Sequence, residues 1–597
     1  MIRTHTCGEL RTTDSGKTVT LTGWVHNRRD FGGVIFIDVR DRYGLTQLTF
    51  NSEKNVGVCN EASVLRNEWV IAVTGIVTAR PDNMINKEIE TGGIEIEVTA
   101  LEILSQSDVL PFEINNEETM QNVKESLRLE YRFLDLRRPR LQTMLATKDK
   151  FFQYVRTYFQ SHNFVEVQTP ILANSSPEGA RDFLIPSRLF PGTCYALPQA
   201  PQQFKQLLMV SGVDRYFQIA PCFRDEDTRS DRHYGEFYQL DMEMSFATQD
   251  DIFAIMEPLM IQLTEKFSDK KITNLEKDQT FRRIPWKQAM EMYGSDKPDL
   301  RYDLAIISIS EVVRGSSFAG FEGALENNGV VHALRVPDGA SLSRKVMDDL
   351  KEIAMKKTIA TFATLSVSET NEIKTSLSKF FDDSKLGEIR QSVGAQAGDA
   401  VIMMAGSWRD VCEAFGLVRV ELARQLNLIN KDEAAWCWIV DFPMYEHSEL
   451  KPGTIDFGHN PFTMPQGGHD AIDTMEPLDI LAFQYDLVLN GYEVSSGGVR
   501  NHDPELLKKA FIKAGYEAEE VDRRFGALMK AFRYGVPPHA GNAPGVDRLL
   551  MVLNDWDSIR DLYAFPKDGQ GRDILMNSPS EIDEHQLTEL GLTKLKK

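Results

Sequence analysis

Cysteine is scarce: six residues (Cys7, Cys59, Cys194, Cys222, Cys412 and Cys437) lie scattered, with no C-x-x-C pair and no histidine pair at finger spacing. That excludes a structural zinc and a disulfide framework, and it points to a reducing compartment. No apolar run approaches the roughly 18 residues that a membrane-spanning helix needs. Residues 1–10 lack the apolar stretch of a signal peptide. A cytoplasmic protein with no membrane partner is expected. Excess positive charge is also missing: the net charge is −21, so long-range steering of a polyanion is repulsive, which argues against nonspecific binding to nucleic acid and against DNA as a partner. A nucleic-acid partner would have to be met by local basic patches. Internal repeats and low-complexity segments are absent as well.

What is present fits several domains, since 597 residues with 42% apolar content allow roughly three to four. Five segments alternate as strands do, at 18–25, 33–40, 45–50, 69–77 and 94–98. Five strands in so short a stretch predict a small OB-type barrel over 1–108. Between the first two strands runs Asn27-Arg28-Arg29-Asp30-Phe31-Gly32-Gly33, either a solvated hairpin or a basic loop for RNA. Phe36 and Gln47, on adjacent strands of the face that such barrels use for single strands, favour base stacking and edge readout.

A hinge is expected over 109–140, ending in the basic Arg137-Arg138-Pro139-Arg140. Apolar spacing at Leu141, Met144, Leu145, Phe152, Val155 and Phe159 predicts a helix over 141–162. Phe164-Val-Glu-Val-Gln-Thr-Pro170 reads as a strand stopped by proline. Residues 141–285 and 431–565 carry the dense polar motifs. The mixed segment 286–430, which has no such cluster, reads as an insertion, and 566–597 reads as a polar C-terminal extension. The predicted class is α+β and multidomain.

Two arginines set beside carboxylates stand far apart in sequence, in Phe223-Arg224-Asp225-Glu226 and Gly545-Val546-Asp547-Arg548. Either alone could be a solvated ion pair. Together, one on a strand-like run and one opening an apolar helix, they suggest a clamp for a polyphosphate. Nucleotidyl transfer needs such cations, a divalent metal on carboxylates and a positioned nucleophile. Asp486 and Glu493, read here as lying across a helix end and turn, could share a magnesium ion. They could also be two unrelated surface acids. Lys205 and Arg500 would suit a small acidic substrate. Gly497-Gly498 would let backbone approach a ligand closely.

These residues resemble the bacterial-type aspartyl-tRNA synthetases, class II enzymes with an N-terminal OB domain, over essentially the whole chain. Phe164 to Pro170 is similar to the family's motif 1, Phe223 to Asp241 to motif 2, and Gly545 to Arg548 to motif 3. Ser176-Pro-Glu-Gly-Ala-Arg-Asp182 and Ala200-Pro-Gln-Gln-Phe-Lys-Gln206 are similar to aspartyl-type blocks. The resemblance implies an antiparallel catalytic sheet with an inserted α+β domain. It also implies activation of L-aspartate by ATP with Mg2+, without zinc or an organic cofactor, and transfer to tRNA-Asp by a homodimer; tRNA-Asn as a second acceptor is left open. It implies aspartate contacts for Glu178, Gln202, Lys205, Arg224, Gln239, Asp241, His459 and Arg500. ATP contacts are implied for Arg224, Asp225, Glu226, His233, Glu493, Gly545, Val546, Asp547 and Arg548, with Arg224, Arg548 and Glu493 catalytic and Asp486 and Glu493 on the metal. Arg28, Arg29, Phe36 and Gln47 would meet the anticodon. Selectivity against asparagine is expected from Lys205 and Arg500 being left unpaired before a neutral amide. An asparaginyl- or lysyl-type enzyme of the same subgroup is the competing assignment. A non-catalytic RNA-binding paralogue would be free to lose Arg224, Glu493 and Arg548, and all three are present.

Overall fold

The computed structural model describes residues 2–175, 180–227, 232, 234–448 and 451–593. They form two compact units, the first comprising Met1–Ala146, Ala564–Asp568 and Arg572–Pro579. In that unit the alternation closes a five-stranded barrel from Thr18–Asp30, Val34–Arg40, Leu45–Asn51, Val70–Ala79 and Ile94–Ser105. Every second side chain turns inward, so Val19, Leu21, Ile35, Ile37, Leu48, Phe50, Val73 and Ile96 fill the core. The parallel pairing of Leu48 with Ile96 completes the closure. A helix not expected from the sequence, Val56–Ser63, follows the third strand, its first turn capped by the Asn55 side chain.

The segment expected as a hinge folds into three short helices, Glu117–Met120, Glu125–Glu130 and Arg132–Asp135. They gather a small core of Phe112, Ile114, Met120 and Leu134. Asp135, fully buried, accepts from Arg132 at 2.5 Å and Arg138 at 2.6 Å. The predicted helix over 141–162 is present as Pro139–Ser161.

The second unit is built on an eight-stranded sheet in the order Arg282–Pro285, Trp436–Pro443, Leu481–Leu489, Tyr492–Val499, His539–Pro544, Gly235–Ser245, Arg215–Arg224 and Val165–Glu166. Pairing is antiparallel except at the two ends. One expectation fails here: 483–493 is a β-hairpin, not a helix end. Its turn is Asn490-Gly491, with φ of 52° and 85°, the left-handed pair that a two-residue hairpin turn requires. The fully buried Leu487, Val488 and Leu489 hid the strand period.

A separate five-stranded sheet lies between the halves, ordered Ile306–Ser308, Val330–Val336, Ala400–Gly406, Ile359–Val367 and Ile373–Thr375. The helix Trp286–Tyr293, at the start of the segment read as an insertion, packs on Ile284, Cys437, Ile439 and Val488 of the large sheet. It packs equally on the helix Trp408–Gln425 of that segment, with Trp286 against Trp408 and the Tyr293 carbonyl accepting from Arg419.

Candidate active site

A cleft of about 750 Å³ opens on the large sheet. The helix Gln202–Val210 borders it with Gln202 and Lys205, one turn apart and both buried. Facing them, the strand Gly235–Ser245 turns Gln239, Asp241 and Glu243 to one side, because side chains two apart share a face. Lys205 Nζ lies 2.6 Å from Asp241 Oδ1 and 3.3 Å from Glu243 Oε2. Arg500 donates Nε and Nη2 to the two oxygens of Glu243 at 2.8 and 3.1 Å. All four side chains are buried.

Two cations and two carboxylates sum to zero, so Lys205 and Arg500, expected to be left unpaired before a neutral amide, already have acid partners in the floor. Net charge in a desolvated floor is costly, so each cation comes with an acid. Glu243 was missed from the sequence, although its place two residues after Asp241 was a readable signal. Burial alone would raise Glu243, but Arg500 and Lys205 hold its pKa down at about 2. Burial raises Asp241 against the opposing pull of Lys205. Asp241 Oδ2 and Gln202 Nε2 have no partner among the described residues and border the cleft. Gly541 has no room for a Cβ, which would sit 1.9 Å from a Glu243 carboxylate oxygen.

Gly497 is among the residues that border the cleft, and Gly498 follows it. Their missing side chains make room for the Gly541 carbonyl and the Tyr485 ring, and for Thr463, respectively. The constraint comes from the protein's own neighbouring chain segments.

Arg224 ends its strand, stacked with its guanidinium 5.0 Å from the Phe237 ring centroid. Its Nε has no hydrogen-bond partner among the described residues. Glu226 pairs with Arg232, and Asp225 accepts from Tyr234 at 3.2 Å. Across the cleft, Arg548 Nη1 donates to the Glu493 carbonyl at 2.9 Å. Gly545 precedes the helix Val546–Leu553 and donates its N–H to Val494 at 2.9 Å. Asp547 borders the cleft, yet its carboxylate is bound by Lys148 and Tyr563. The side chain is thus held within the protein at the border of the cleft where an ATP contact is expected. Val546, between Gly545 and Asp547, is buried.

Asp486 and Glu493 stand on the two strands of the hairpin. Burial and the neighbouring Glu493 carboxylate push Asp486 well above its ordinary value, and Gln484 donates to it at 3.2 Å. His459 sets its ring 4.6 Å from Phe442. The ring is open to solvent, but enough protein surrounds it that desolvation lowers its pKa. Glu178 and His233 lie outside the described residues.

On the barrel, Arg28 pairs with Asp30 at 2.6 Å, and Arg29 donates to Asp38 at 3.2 Å and to Gln47 at 3.1 Å. Gln47 donates in turn to Glu95 at 3.1 Å, and Arg80 Nε lies 3.8 Å from that acid. Sequence reasoning missed Arg80 and Glu95. The Phe36 ring meets the exposed Phe31 edge-on at 5.9 Å.

Residues 124–569 match the family model of class II tRNA synthetases (D, K and N), and residues 19–104 match the OB-fold nucleic acid binding domain. The chain belongs to the class II tRNA synthetases. Among curated relatives, an aspartate–tRNA(Asp/Asn) ligase of Rickettsia prowazekii is 49% identical over 99% of this chain and 97% of its own. An aspartate–tRNA ligase of Streptomyces coelicolor is 48% identical over 99% and 98%. Asparaginyl-tRNA synthetase of Pyrococcus horikoshii, solved with asparaginyl-adenylate, shares the fold at a TM-score of 0.58 and 20% identity, covering 95% of this chain and 98% of its own. Aspartyl-tRNA synthetase of Entamoeba histolytica does so at 0.56 and 19%, covering 94% and 90%.

Proposed function

We propose that the chain is an aspartate–tRNA ligase, which condenses L-aspartate with ATP to aspartyl-adenylate and pyrophosphate and passes the aspartyl group to the 3′ end of tRNA-Asp. The observation that carries this reading is the layered cleft. Its floor holds Lys205 and Arg500 in place with Asp241 and Glu243, while Arg224 stands above without an ion pair among the described residues. The names of the Rickettsia and Streptomyces relatives agree with it.

In the first step an oxygen of the amino-acid α-carboxylate attacks the α-phosphorus, and the bond to the pyrophosphate oxygen breaks. Arg224 would bridge the two reacting groups, its planar guanidinium matching carboxylate and phosphate alike. Arg548 would meet the departing end of the triphosphate. The substrate side-chain carboxylate would rest on Lys205 and Arg500, with Gln202, Gln239, Asp241 and His459 around it. Arg500 has Nε and Nη2 on Glu243, which leaves Nη1 to face a ligand. In the second step the terminal adenosine hydroxyl attacks the adenylate carbonyl and AMP leaves.

Asp486 and Glu493 suit a magnesium ion, which needs one or two carboxylates plus phosphate oxygens. The like-charge crowding that raises Asp486 is what a cation would relieve. When bound, the ion would neutralise charge on the phosphates. On the barrel, Phe36 would stack on an anticodon base, and Gln47, with Arg28 and Arg29, would read its edge and the backbone. We place the enzyme in the cytoplasm as a homodimer.

Aspartylation of purified tRNA-Asp and tRNA-Asn transcripts tests the reading. Charging of tRNA-Asp is expected. Charging of both at similar rates would align the chain with the two-tRNA naming of the Rickettsia relatives. Charging of neither by folded protein would overturn the assignment.

A further inference from the structure

Asp547 is the second residue of the helix Val546–Leu553, and its side chain is buried. Lys148, on the long helix Pro139–Ser161, binds its Oδ1, and the Tyr563 hydroxyl donates to its Oδ2 at 2.6 Å. Lys148 Nζ also donates to the Leu562 carbonyl at 3.2 Å and stands 4.8 Å over the Tyr563 ring. Both oxygens of the acid are thus fixed, one by Lys148 from a distant part of the chain and the other by Tyr563, 16 residues on. The other side of the helix start is tied to the hairpin through the Gly545 N–H on Val494. Arg548 follows Asp547 directly, turned about 100° round the helix, and reaches the cleft with Nη1 on the Glu493 carbonyl.

We infer that Lys148 and Tyr563 are positioning residues for Arg548: by clamping Asp547 they fix the helix start from which the Arg548 guanidinium reaches the polyphosphate end of ATP. The inference rests on the reading of Arg548 as an ATP ligand. A buried carboxylate that loses its cation must shift, take up a proton or admit water. Each of these moves the helix start, and misplacing a charged group by about 1 Å costs roughly a hundredfold in rate.

The test is aspartate-dependent ATP–pyrophosphate exchange by wild type, Lys148→Met, Lys148→Arg, Tyr563→Phe and Arg548→Ala, with active sites titrated. Lys148→Met is expected to raise the KM for ATP about tenfold or more and to lower kcat, with the KM for aspartate within about twofold. Lys148→Arg should recover most of the loss, and Tyr563→Phe should move the same constant less. A merely structural role would reduce the number of active sites and leave the KM for ATP unchanged, which overturns the inference. An unchanged KM for ATP in Arg548→Ala overturns the reading of Arg548 itself. A raised one in Arg548→Ala, with none in Lys148→Met, overturns only the positioning role. If Lys148→Met does not fold, Tyr563→Phe decides, and an unchanged KM for ATP there refutes the proposal.

Discussion

Glu243 offers the sharpest test of the cleft floor. Glu243→Gln keeps the shape and removes one charge, taking the formal sum over Lys205, Arg500, Asp241 and residue 243 from zero to +1. Arg500 then loses the two-oxygen fork at 2.8 and 3.1 Å that fixes its plane, because an amide nitrogen cannot accept from the guanidinium. Breaking a buried pair from one side costs about 3–5 kcal/mol. If about 3 kcal/mol of this appears in the activation step, kcat/KM for aspartate in pyrophosphate exchange falls by roughly 100-fold. Exchange is measured at saturating ATP beside Arg500→Ala, and chemical denaturation separates lost fold from lost orientation. A folded Glu243→Gln protein within about threefold of wild type would refute the reasoning, because Arg500 would then hold its orientation without the fork.

Two further predictions concern other parts of the chain. Phe36→Ala should raise the KM for tRNA-Asp about tenfold or more while leaving pyrophosphate exchange untouched, since one base–aromatic stack is worth about 1–3 kcal/mol; an unchanged KM for tRNA removes Phe36 from the anticodon. His332 is buried in the inserted sheet, and desolvation lowers its pKa from 6.5 to about 4. As pH falls below 6.5 the unfolded chain takes up a proton that the folded one refuses. Stability is therefore lost between those two values, by about 3 kcal/mol at roughly 1.4 kcal/mol per pH unit. His332→Leu should flatten the loss of amide-exchange protection of the Ala400–Gly406 strand between pH 6.5 and 4.5, and an unchanged pH slope would exclude His332 as its source.

The barrel was legible because half-buried strands print their period on the sequence: 18–25 and 34–40 alternate almost without a break. The hairpin carrying Asp486 was not, because both faces of Leu487 to Leu489 are buried and the period vanishes. Its Asn490-Gly491 turn was nevertheless printed there. Lys205, Arg224, Arg500 and Arg548 could be picked as charged residues in motif contexts, but the pairings they make could not. The Arg500–Glu243 and Lys148–Asp547 pairs join residues remote in sequence, and nothing local announces a pairing made by the sheet. The same limit holds for Asp547, whose motif position pointed to the cleft but not to the bonds that its carboxylate makes with Lys148 and Tyr563.

That pattern of pairing bears on selectivity. A floor with formal charge zero does not attract an acidic side chain through net charge, so discrimination must come from fixed orientation. Lys205 and the free edge of Arg500 present donors only, and a carboxylate can accept from both, whereas an amide offers one oxygen and one nitrogen that must face a donor. An unsatisfied donor in a buried site costs about 1–3 kcal/mol, and more when it is charged. If Lys205 and Arg500 hold the substrate carboxylate as proposed, the carboxylates of Asp241 and Glu243 are as much a part of the selectivity as the cations they hold. Arg224 lies nearer solvent and has no acid paired to it among the described residues. On the proposed reading its guanidinium would face the step in which negative charge moves from the carboxylate to the pyrophosphate.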